Sequence, residues 1–279
     1  MKIKSFLGYA SAIMFLLFFN VVPTTQLSAQ TPAADEPVYI LREFMKVEPG
    51  MGDDYLKVEK VAKKVHQRRV DEGKIIGWDL FRRVFNGTNA DYDYMVVTRF
   101  KNGKDLEEAS KMSWEYITKG MSAADLALAN NINKTRRMTS SSLSVMLNNA
   151  LTTRESHFIK LTQVKAASGK GSELEKMETM MKPVFEEAIK KGDISAWRFG
   201  RNLYPMKAGG ANYYRVITTT TLDEMLKADN NAVNYIETAF KKVYPNKDWA
   251  TTNKSFSDII TILDMDLFES VDSTSPAKK

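Results

Sequence analysis

Two stretches of the chain carry the same succession of hydrophobic and polar positions. Each opens with a strand-like run, Tyr39–Met45 or Phe158–Val164, and then breaks at a pair of glycines. Apolar residues next recur at helical intervals, and a second strand-like run follows at Ile75–Phe85 or Ile194–Tyr204. The pattern therefore predicts a strand, a helix and a strand in each stretch. The helical positions are Tyr55, Val58, Ala62 and Val65 in the first and Leu174, Met177, Met181 and Val184 in the second.

The two stretches are also related residue by residue. Tyr39–Phe85 aligns with Phe158–Tyr204 at a constant offset of 119 positions without a gap, and 12 of the 47 aligned residues are identical. The identical residues include both glycines of the turn and the glycine after the helix, together with Trp78/Trp197 and Arg82/Arg201. An internal duplication explains this agreement, and it constrains the architecture more than the activity.

The rest of each half continues the pattern. A third strand, Tyr92–Phe100, aligns with Asn212–Thr220 after one inserted residue, which matches Tyr94 with Tyr214. A second helical region and a last strand complete each half, and the last strands are predicted at Leu143–Leu151 and Phe256–Phe268. The predicted class is α+β, with two ferredoxin-like βαββαβ repeats whose sheets pack into an α/β barrel, because each bare sheet face needs a cover.

This organisation divides the chain into five parts. They are a signal peptide at 1–29, a linker at 30–37, a first repeat at 38–151, a second repeat at 152–269 and a disordered tail at 270–279. Each repeat contains an excursion before its last strand, at 121–139 and 244–253, and the sequence leaves open whether these excursions cover a pocket.

Composition and the N-terminus indicate an exported protein. Hydrophobic residues make up 43% and charged residues 27%, as in soluble globular proteins. Lys2 and Lys4 precede a short apolar run around Ile13–Phe19, and Leu27-Ser28-Ala29 provides small residues for cleavage. We expect export to the periplasm or medium with no stable membrane anchor after processing; an uncleaved anchor is the alternative. The chain has no cysteine, which excludes disulfides and thiol chemistry.

The charge balance argues against nucleic acid as a partner. The net charge of +6 falls to +4 once the two lysines of the signal peptide are removed, and no basic cluster with interleaved aromatic residues is present.

The second strand of each half provides the candidate site. One face carries Trp78 and Arg82, and its counterpart carries Trp197 and Arg201, in otherwise apolar surroundings. A buried arginine needs a partner, which is either an acid such as Glu43 or a ligand with an anionic or carbonyl group. The tryptophans are either core residues or part of the same cavity. The predicted ligand-binding residues are Trp78, Arg82, Tyr94, Trp197, Arg201 and Tyr214.

Metal and cofactor signatures are missing from the sequence. The two histidines, His66 and His157, do not share a helix face, and there is no phosphate-binding loop or nucleophile elbow. We therefore expect no metal and no cofactor, and the catalytic residues are unknown at this stage.

With its doubled strand–helix–strand–strand–helix–strand order, no cysteine and Trp/Arg on the second strand, the chain resembles the dimeric α/β-barrel superfamily. That group includes Dabb, NIPSNAP-like and EthD-like proteins and antibiotic-biosynthesis monooxygenases. The resemblance covers about Val38–Phe268 and implies that one chain supplies both halves of a barrel, which could pair again as a homo-oligomer. It also implies cofactor-free monooxygenase, haem-handling or small-ligand-binding activity, but His66 and His157 lie in the wrong elements to match the haem-binding histidine.

Three hypotheses follow. The first is a non-enzymatic exported protein that binds a small, partly apolar or anionic ligand between its sheets. The second is a cofactor-independent monooxygenase or isomerase acting in the same cavity, which requires a polar group with a shifted pKa to take a proton. The third is a structural scaffold for a protein partner, with the barrel filled by side chains.

Overall fold

The computed structural model describes residues 37–87, 90–205, 209–230 and 232–275. The predicted signal peptide and nearly all of the predicted linker lie outside these residues. In the described part of the chain, no helix is both long enough and apolar enough to cross a membrane.

The chain forms eight strands joined into one closed antiparallel barrel. The strands are β1 (Val38–Val47), β2 (Gly77–Arg83), β3 (Tyr94–Phe100), β4 (Arg136–Leu151), β5 (Phe158–Ala166), β6 (Ala196–Tyr204), β7 (Tyr213–Thr219) and β8 (Ile260–Ser273). Their order around the barrel is β1-β3-β2-β8-β5-β7-β6-β4. Closure leaves no unpaired edge strand in the ring and covers the inner sheet face, as the predicted barrel requires.

The helices of the described residues lie between these strands. They are α1 (Gly52–Asp71), α2 (Gly103–Ser110), α3 (Trp114–Thr118), α4 (Ala123–Asn130), α5 (Ile132–Thr135), α6 (Gly171–Lys191), α7 (Leu222–Asn230), α8 (Ala232–Val243) and α9 (Trp249–Ile259). The two long helices, α1 and α6, pack their apolar stripes on the outside of the barrel. Each is followed by a glycine with a positive φ, Gly73 at 70° and Gly192 at 84°, as the sequence predicts for a helix end.

The two halves of the barrel have matching strand order and register. The first half runs β4-β1-β3-β2 and the second β8-β5-β7-β6, and the halves join edge to edge through β2–β8 and β4–β6. In β1, Tyr39 pairs with Phe100, and in β5, Phe158 pairs with Thr219. Gly77 pairs with Arg99 as Ala196 pairs with Thr218. The constant offset between the halves thus extends through the third strand.

That register corrects the predicted alignment of the third strand. Tyr94 pairs with Met45 and Tyr213 pairs with Val164, so the counterpart of Tyr94 is Tyr213 and no residue is inserted. The predicted alignment contains one inserted residue and therefore matches Tyr94 with Tyr214 instead. Because side chains alternate between the two faces of a strand, a slip of one position moves the matched residue to the opposite face.

The last strands differ from their predicted bounds. Phe256 belongs to α9, and β8 begins at Ile260 and continues to Ser273, into the segment predicted as a disordered tail. The extension is held by β2, since Asp79 pairs with Ser273 and the backbone N–H of Trp78 donates to Thr274 Oγ1 at 3.0 Å. Similarly, β4 begins at Arg136, inside the predicted excursion. Pairing with β2 of the other half lengthens β8, and pairing with β1 orders the first residues of β4. A single-segment pattern contains neither contact.

Candidate functional site

The alternation of β2 decides which residues reach the barrel interior. Asp79 and Phe81 line the interior cavity, whereas Trp78 and Leu80 belong to the hydrophobic cluster beneath α1. The predicted ligand-binding residues Trp78 and Arg82 lie on the same face of β2 as Leu80. That face is covered by helices on the outside of the barrel, so the cavity between the sheets is built from the opposite face.

The two tryptophans occupy equivalent positions in the outer core. Trp78 is fully buried and stacks on His66 of α1, with ring centroids 5.4 Å apart. Trp197 is also fully buried and stacks on Phe185 of α6, with centroids 4.5 Å apart. His66 and Phe185 are related by the same offset as the tryptophans. The core interpretation of both tryptophans therefore fits the structure, and neither lines the interior cavity.

The two predicted arginines lie near the surface and are ion-paired. Arg82 is bonded to Glu269, and its side chain is 57% exposed. Arg201 Nη1 lies 3.3 Å from Glu175 Oε1, and its side chain is 48% exposed. A salt bridge is the partner that the sequence offered as the alternative to a ligand, although the acid is not Glu43. Exposed pairs of this kind contribute about 0–1 kcal/mol to stability.

The two predicted tyrosines point to opposite sides of the sheet. Tyr94 packs against Tyr55 of α1 on the outer side, with ring centroids 4.7 Å apart. Tyr214 is fully buried in the interior and lines the cavity. Of the six predicted ligand-binding residues, Tyr214 is the one that the structure places there.

The cavity inside the barrel has a volume of about 60 Å³ and is walled mainly by aliphatic and aromatic groups. That space accommodates about four water molecules, at one probe sphere per water. Five ionisable side chains interrupt the apolar wall. They are Arg42, Asp79, Arg99, Arg198 and Tyr214.

Asp79 is the acidic group of the cavity wall. It is 1% exposed, and its Oδ2 accepts a hydrogen bond from Arg99 Nη1 at 2.5 Å. Its Oδ1 is buried with no hydrogen-bond partner among the described residues. Burial raises the pKa of Asp79, while the positive charges of Arg99 and then Arg198 oppose the shift. The result is a buried carboxylate with one occupied and one available oxygen.

Gly77 allows this ion pair to form. A side chain at position 77 would place its Cβ 2.3 Å from Arg99 Nη2, so any other residue would push the guanidinium away from Asp79.

Arg42 and Tyr214 form a second polar pair across the barrel. The guanidinium carbon of Arg42 lies 3.9 Å from the centroid of the Tyr214 ring, and Nη1 donates to Ser144 Oγ. Tyr214 has room to lie there because Gly200 faces it: a Cβ at position 200 would stand 2.4 Å from the tyrosine oxygen. The hydroxyl of Tyr214 has no hydrogen-bond partner among the described residues.

Sequence reasoning missed Arg42, Asp79, Arg99 and Arg198. Identity between the two halves points to other residues, because the charged cavity residues differ: Arg42 corresponds to Leu161, and Asp79 corresponds to Arg198. A signal was nevertheless present. Arg42, Asp79 and Arg198 are charged residues inside the predicted strands, and a charge in a buried sheet is costly unless it has a partner or a function.

A second group of buried ionisable residues lies outside the barrel, beneath α1. Glu43 and Glu59 are 3% and 0% exposed, and burial raises the pKa of each to about 8. Arg136 opposes both shifts, and its Nε lies 3.8 Å from Glu59 Oε1. Glu43, which the sequence suggested as a partner for Arg82, belongs to this group instead.

Neither histidine reaches the cavity. His66 Nδ1 lies 3.1 Å from Arg69 Nη1 under α1, and His157 Nε2 lies 3.3 Å from Glu155 Oε2. Among the residues that the structure describes, no three acidic or histidine side chains converge as a metal site would require.

Comparison with known proteins shows the fold. No protein-family model and no curated protein sequence matches the chain. Among solved structures, it is similar to a candidate monooxygenase from Fusobacterium nucleatum subsp. nucleatum, with a TM-score of 0.53 at 8% identity, covering 88% of this chain and 98% of the other.

Two further structures of the same kind are similar. An anthrone oxidase-like protein gives a TM-score of 0.53 at 11% identity, covering 88% of this chain and 96% of the other. A candidate monooxygenase from Lactobacillus acidophilus gives 0.52 at 8% identity, covering 87% and 98%. The neighbours share the dimeric α/β-barrel fold, and at these identities the likeness concerns the fold alone.

Proposed function

We propose that the barrel interior is the active site of a cofactor-independent enzyme of the monooxygenase or isomerase type, in which Asp79 takes a proton from the substrate. The observation that carries the proposal is the state of Asp79: a buried carboxylate in the cavity wall, with one oxygen held by Arg99 and the other without a partner. The sequence hypothesis of such an enzyme requires a group that takes a proton, and Asp79 is a candidate for it. The monooxygenase and anthrone oxidase-like names of the similar structures support the same class.

The surroundings of Asp79 suit proton abstraction from carbon. Burial raises its pKa, which makes the carboxylate a stronger base than an exposed aspartate. The electron pair left on the substrate would spread onto a carbonyl oxygen, and the guanidinium groups of Arg42 and Arg198 lie in the same cavity wall to stabilise that oxyanion.

Loss of the proton leaves the substrate as an enolate, and the two reaction types differ in what this enolate does next. In the isomerase reaction, the proton returns to another carbon. In the oxygenase reaction, the enolate transfers its electrons to O₂. A CH₂ group and O₂ then give a carbonyl and water, with the substrate as the sole reductant.

Binding without turnover is the second candidate. The apolar wall of the cavity supports it, since ligand pockets are lined mainly by such groups, but the volume of about 60 Å³ lies below the roughly 300–1,000 Å³ of pockets for drug-sized molecules. Either function therefore concerns a molecule of few non-hydrogen atoms, unless side chains move to enlarge the cavity.

A panel of small enolisable compounds tests the proposal. Quinols, phenols and 1,3-dicarbonyl compounds would be screened with an oxygen electrode, and by NMR for exchange of carbon-bound hydrogen with D₂O. We expect Asp79→Asn to lower the rate by about 100-fold or more, as loss of a general base does. The exposed Asp258→Asn serves as the matched control and should keep the wild-type rate.

The results separate the two candidates. Tight binding of a panel compound with neither oxygen uptake nor hydrogen exchange would establish the ligand-binding function instead. Turnover that survives Asp79→Asn unchanged would remove Asp79 from the proposed role.

We infer that the two halves are diverged copies of one ferredoxin-like βαββαβ unit. The matching strand orders and the constant register offset support this inference. Expressed separately, the copies should be unable to close a barrel alone, because β2 needs β8 and β4 needs β6. Mixing residues 37–151 with 152–275 should restore a 1:1 complex, measurable by native mass spectrometry, whereas two independently folded monomers would contradict the inference.

Export is a separate proposal, supported by the N-terminal sequence. Sequencing of the mature protein should begin at Gln30, and a chain that still starts at Met1 would indicate the uncleaved anchor.

A further inference from the structure

The wall of the interior cavity holds more positive than negative charge. Arg42, Arg99 and Arg198 contribute guanidinium groups, and Asp79 contributes the carboxylate. Asp79 is directly bonded to Arg99 at 2.5 Å. Within the described residues, neither Arg42 nor Arg198 has a carboxylate within ion-pair distance. Two cations in the cavity wall are thus left without a bonded counter-ion.

A buried cation without a counter-ion is costly. Arg42 is 3% exposed, and its contacts are the hydroxyl of Ser144 and the face of the Tyr214 ring. Neither contact carries a negative charge. Burial lowers the pKa of Arg42, and burial followed by the charge of Arg99 lowers the pKa of Arg198 to about 10. Arginine side chains stay protonated in proteins, so a bound anion would compensate a charge that desolvation disfavours.

Tyr214 supplies an independent sign of a ligand. Its side chain is fully buried and lines the cavity, and its hydroxyl has no hydrogen-bond partner among the described residues. Burial raises the pKa of this phenol, and the positive charges of Arg42 and then Arg198 oppose the shift. A buried O–H without a partner is unfavourable, and a bound anion would accept its hydrogen bond.

We propose that Arg42, Arg198 and Tyr214 form a binding site for a compact organic anion, such as a short carboxylate or an enolate. Guanidinium groups and a phenolic O–H are the donors that such an oxyanion accepts. The cavity volume of about 60 Å³ restricts the ligand to a few non-hydrogen atoms. This inference narrows the substrate class of the proposed function and rests on it for the statement that the bound anion is the substrate.

The experiment compares isosteric charged and neutral probes. The thermal unfolding midpoint of the full mature chain would be measured with sodium acetate, sodium formate and acetamide at constant ionic strength. At acetate concentrations about 100 times its Kd, we expect the midpoint to rise by about 5 °C. Acetamide, which has the shape of acetate without its charge, should leave the midpoint unchanged.

Variants locate the effect. Arg42→Met and Arg198→Met should each abolish the acetate shift, whereas the exposed Arg201→Met should keep it. Tyr214→Phe removes the hydroxyl alone, keeps the ring under Arg42 and should weaken acetate binding by about fivefold to tenfold. An equal shift with acetamide, or an acetate shift that persists in both arginine variants, would overturn the anion site.

This inference and the proposed function can fail separately. An acetate shift that depends on Arg42 and Arg198, with no turnover of any enolisable anion, establishes the site and refutes the enzyme. Asp79-dependent turnover of neutral compounds without any acetate shift leaves the enzyme standing and refutes the anion site.

Discussion

Glu59 on α1 is a buried carboxylate whose replacement by glutamine should make the protein less sensitive to pH. The side chain is fully buried, and Arg136 Nε stands 3.8 Å from its Oε1, beyond hydrogen-bond distance. Burial is the main reason that its pKa rises from 4.5 to about 8, and the charge of Glu43 adds to the shift.

The sign of the effect follows from proton binding. Between pH 4.5 and pH 8, the folded protein holds a proton on Glu59 that the unfolded chain has released. The stabilising effect of this proton is complete below pH 4.5 and is lost as the pH rises toward 8. Each group of this kind lowers the free energy of unfolding by about 1.4 kcal/mol per pH unit in that window.

The expected effect is the difference between the wild type and the variant in how much the free energy of unfolding changes with pH. From pH 5.5 to pH 7.5, Glu59 alone accounts for a loss of about 3 kcal/mol, at about 1.4 kcal/mol per unit. Glu59→Gln should therefore lose about 3 kcal/mol less than the wild type across this interval. Glu43 contributes with the same sign, because its pKa is also raised to about 8 by burial, but it is present in both proteins.

Urea unfolding at the two pH values measures the effect, with tryptophan fluorescence as the probe, because Trp78 and Trp197 are fully buried. Glu108→Gln, at an exposed carboxylate on α2, is the matched control and should follow the wild type at both pH values. If Glu59→Gln and the wild type lose stability equally between pH 5.5 and pH 7.5, then Glu59 is not a buried proton-binding group and the reasoning fails.

Three further substitutions test the packing, each by the same urea unfolding. Gly200→Ala should lower the free energy of unfolding by about 1–3 kcal/mol, because its Cβ would stand 2.4 Å from both the Tyr214 hydroxyl and the Val145 carbonyl. The control Gly52→Ala, whose Cβ would have no atom within 4 Å, should lower it by less than about 1 kcal/mol. Trp197→Ala should cost about 3–5 kcal/mol as a fully buried core residue; a cost below 1 kcal/mol would contradict that position. Arg201→Ala should cost less than about 1 kcal/mol, and a larger loss would mean that its exposed pair with Glu175 matters more than such pairs do.

Much of the barrel could be predicted because the fold depends on residues that both halves retain. The shared glycines end the long helices, and the shared tryptophans pack under them, so the repeated pattern specifies the strand–helix–strand unit twice. Closure could also be anticipated, since a bare sheet face needs a cover. The bounds of β4 and β8 could not, because the last residues of β8 pair with β2 of the other half and the added residues of β4 pair with β1, and a single segment of sequence contains neither contact.

The predicted ligand-binding residues of β2 lie on the face opposite the interior cavity, and the reason that the sequence favours them is physical. Strand periodicity separates two faces but does not say which one lies inside when both are buried. Trp78 and Arg82 are shared by both halves because the helix-covered side is built alike in each. The predicted alignment of the third strand is off by one residue. Tyr214 is among the predicted site residues because of that error, and not because of its chemistry.

A barrel made from one chain can carry different residues at equivalent positions of its two halves, whereas a symmetric pair of identical units cannot. β2 and β6 lie on opposite sides of the ring of eight strands, and Asp79 and Arg198 occupy equivalent positions on them. In a symmetric dimer, both positions would carry the same residue, so two carboxylates or two guanidiniums would share one small cavity of low dielectric constant. Like charges in such a space repel strongly, and one of them would be driven to neutrality. Within a single chain this restriction does not apply, because one position can hold the carboxylate of Asp79 while its counterpart holds the guanidinium of Arg198. The residues that differ between the halves, rather than those that are identical, therefore set the charges of the cavity wall.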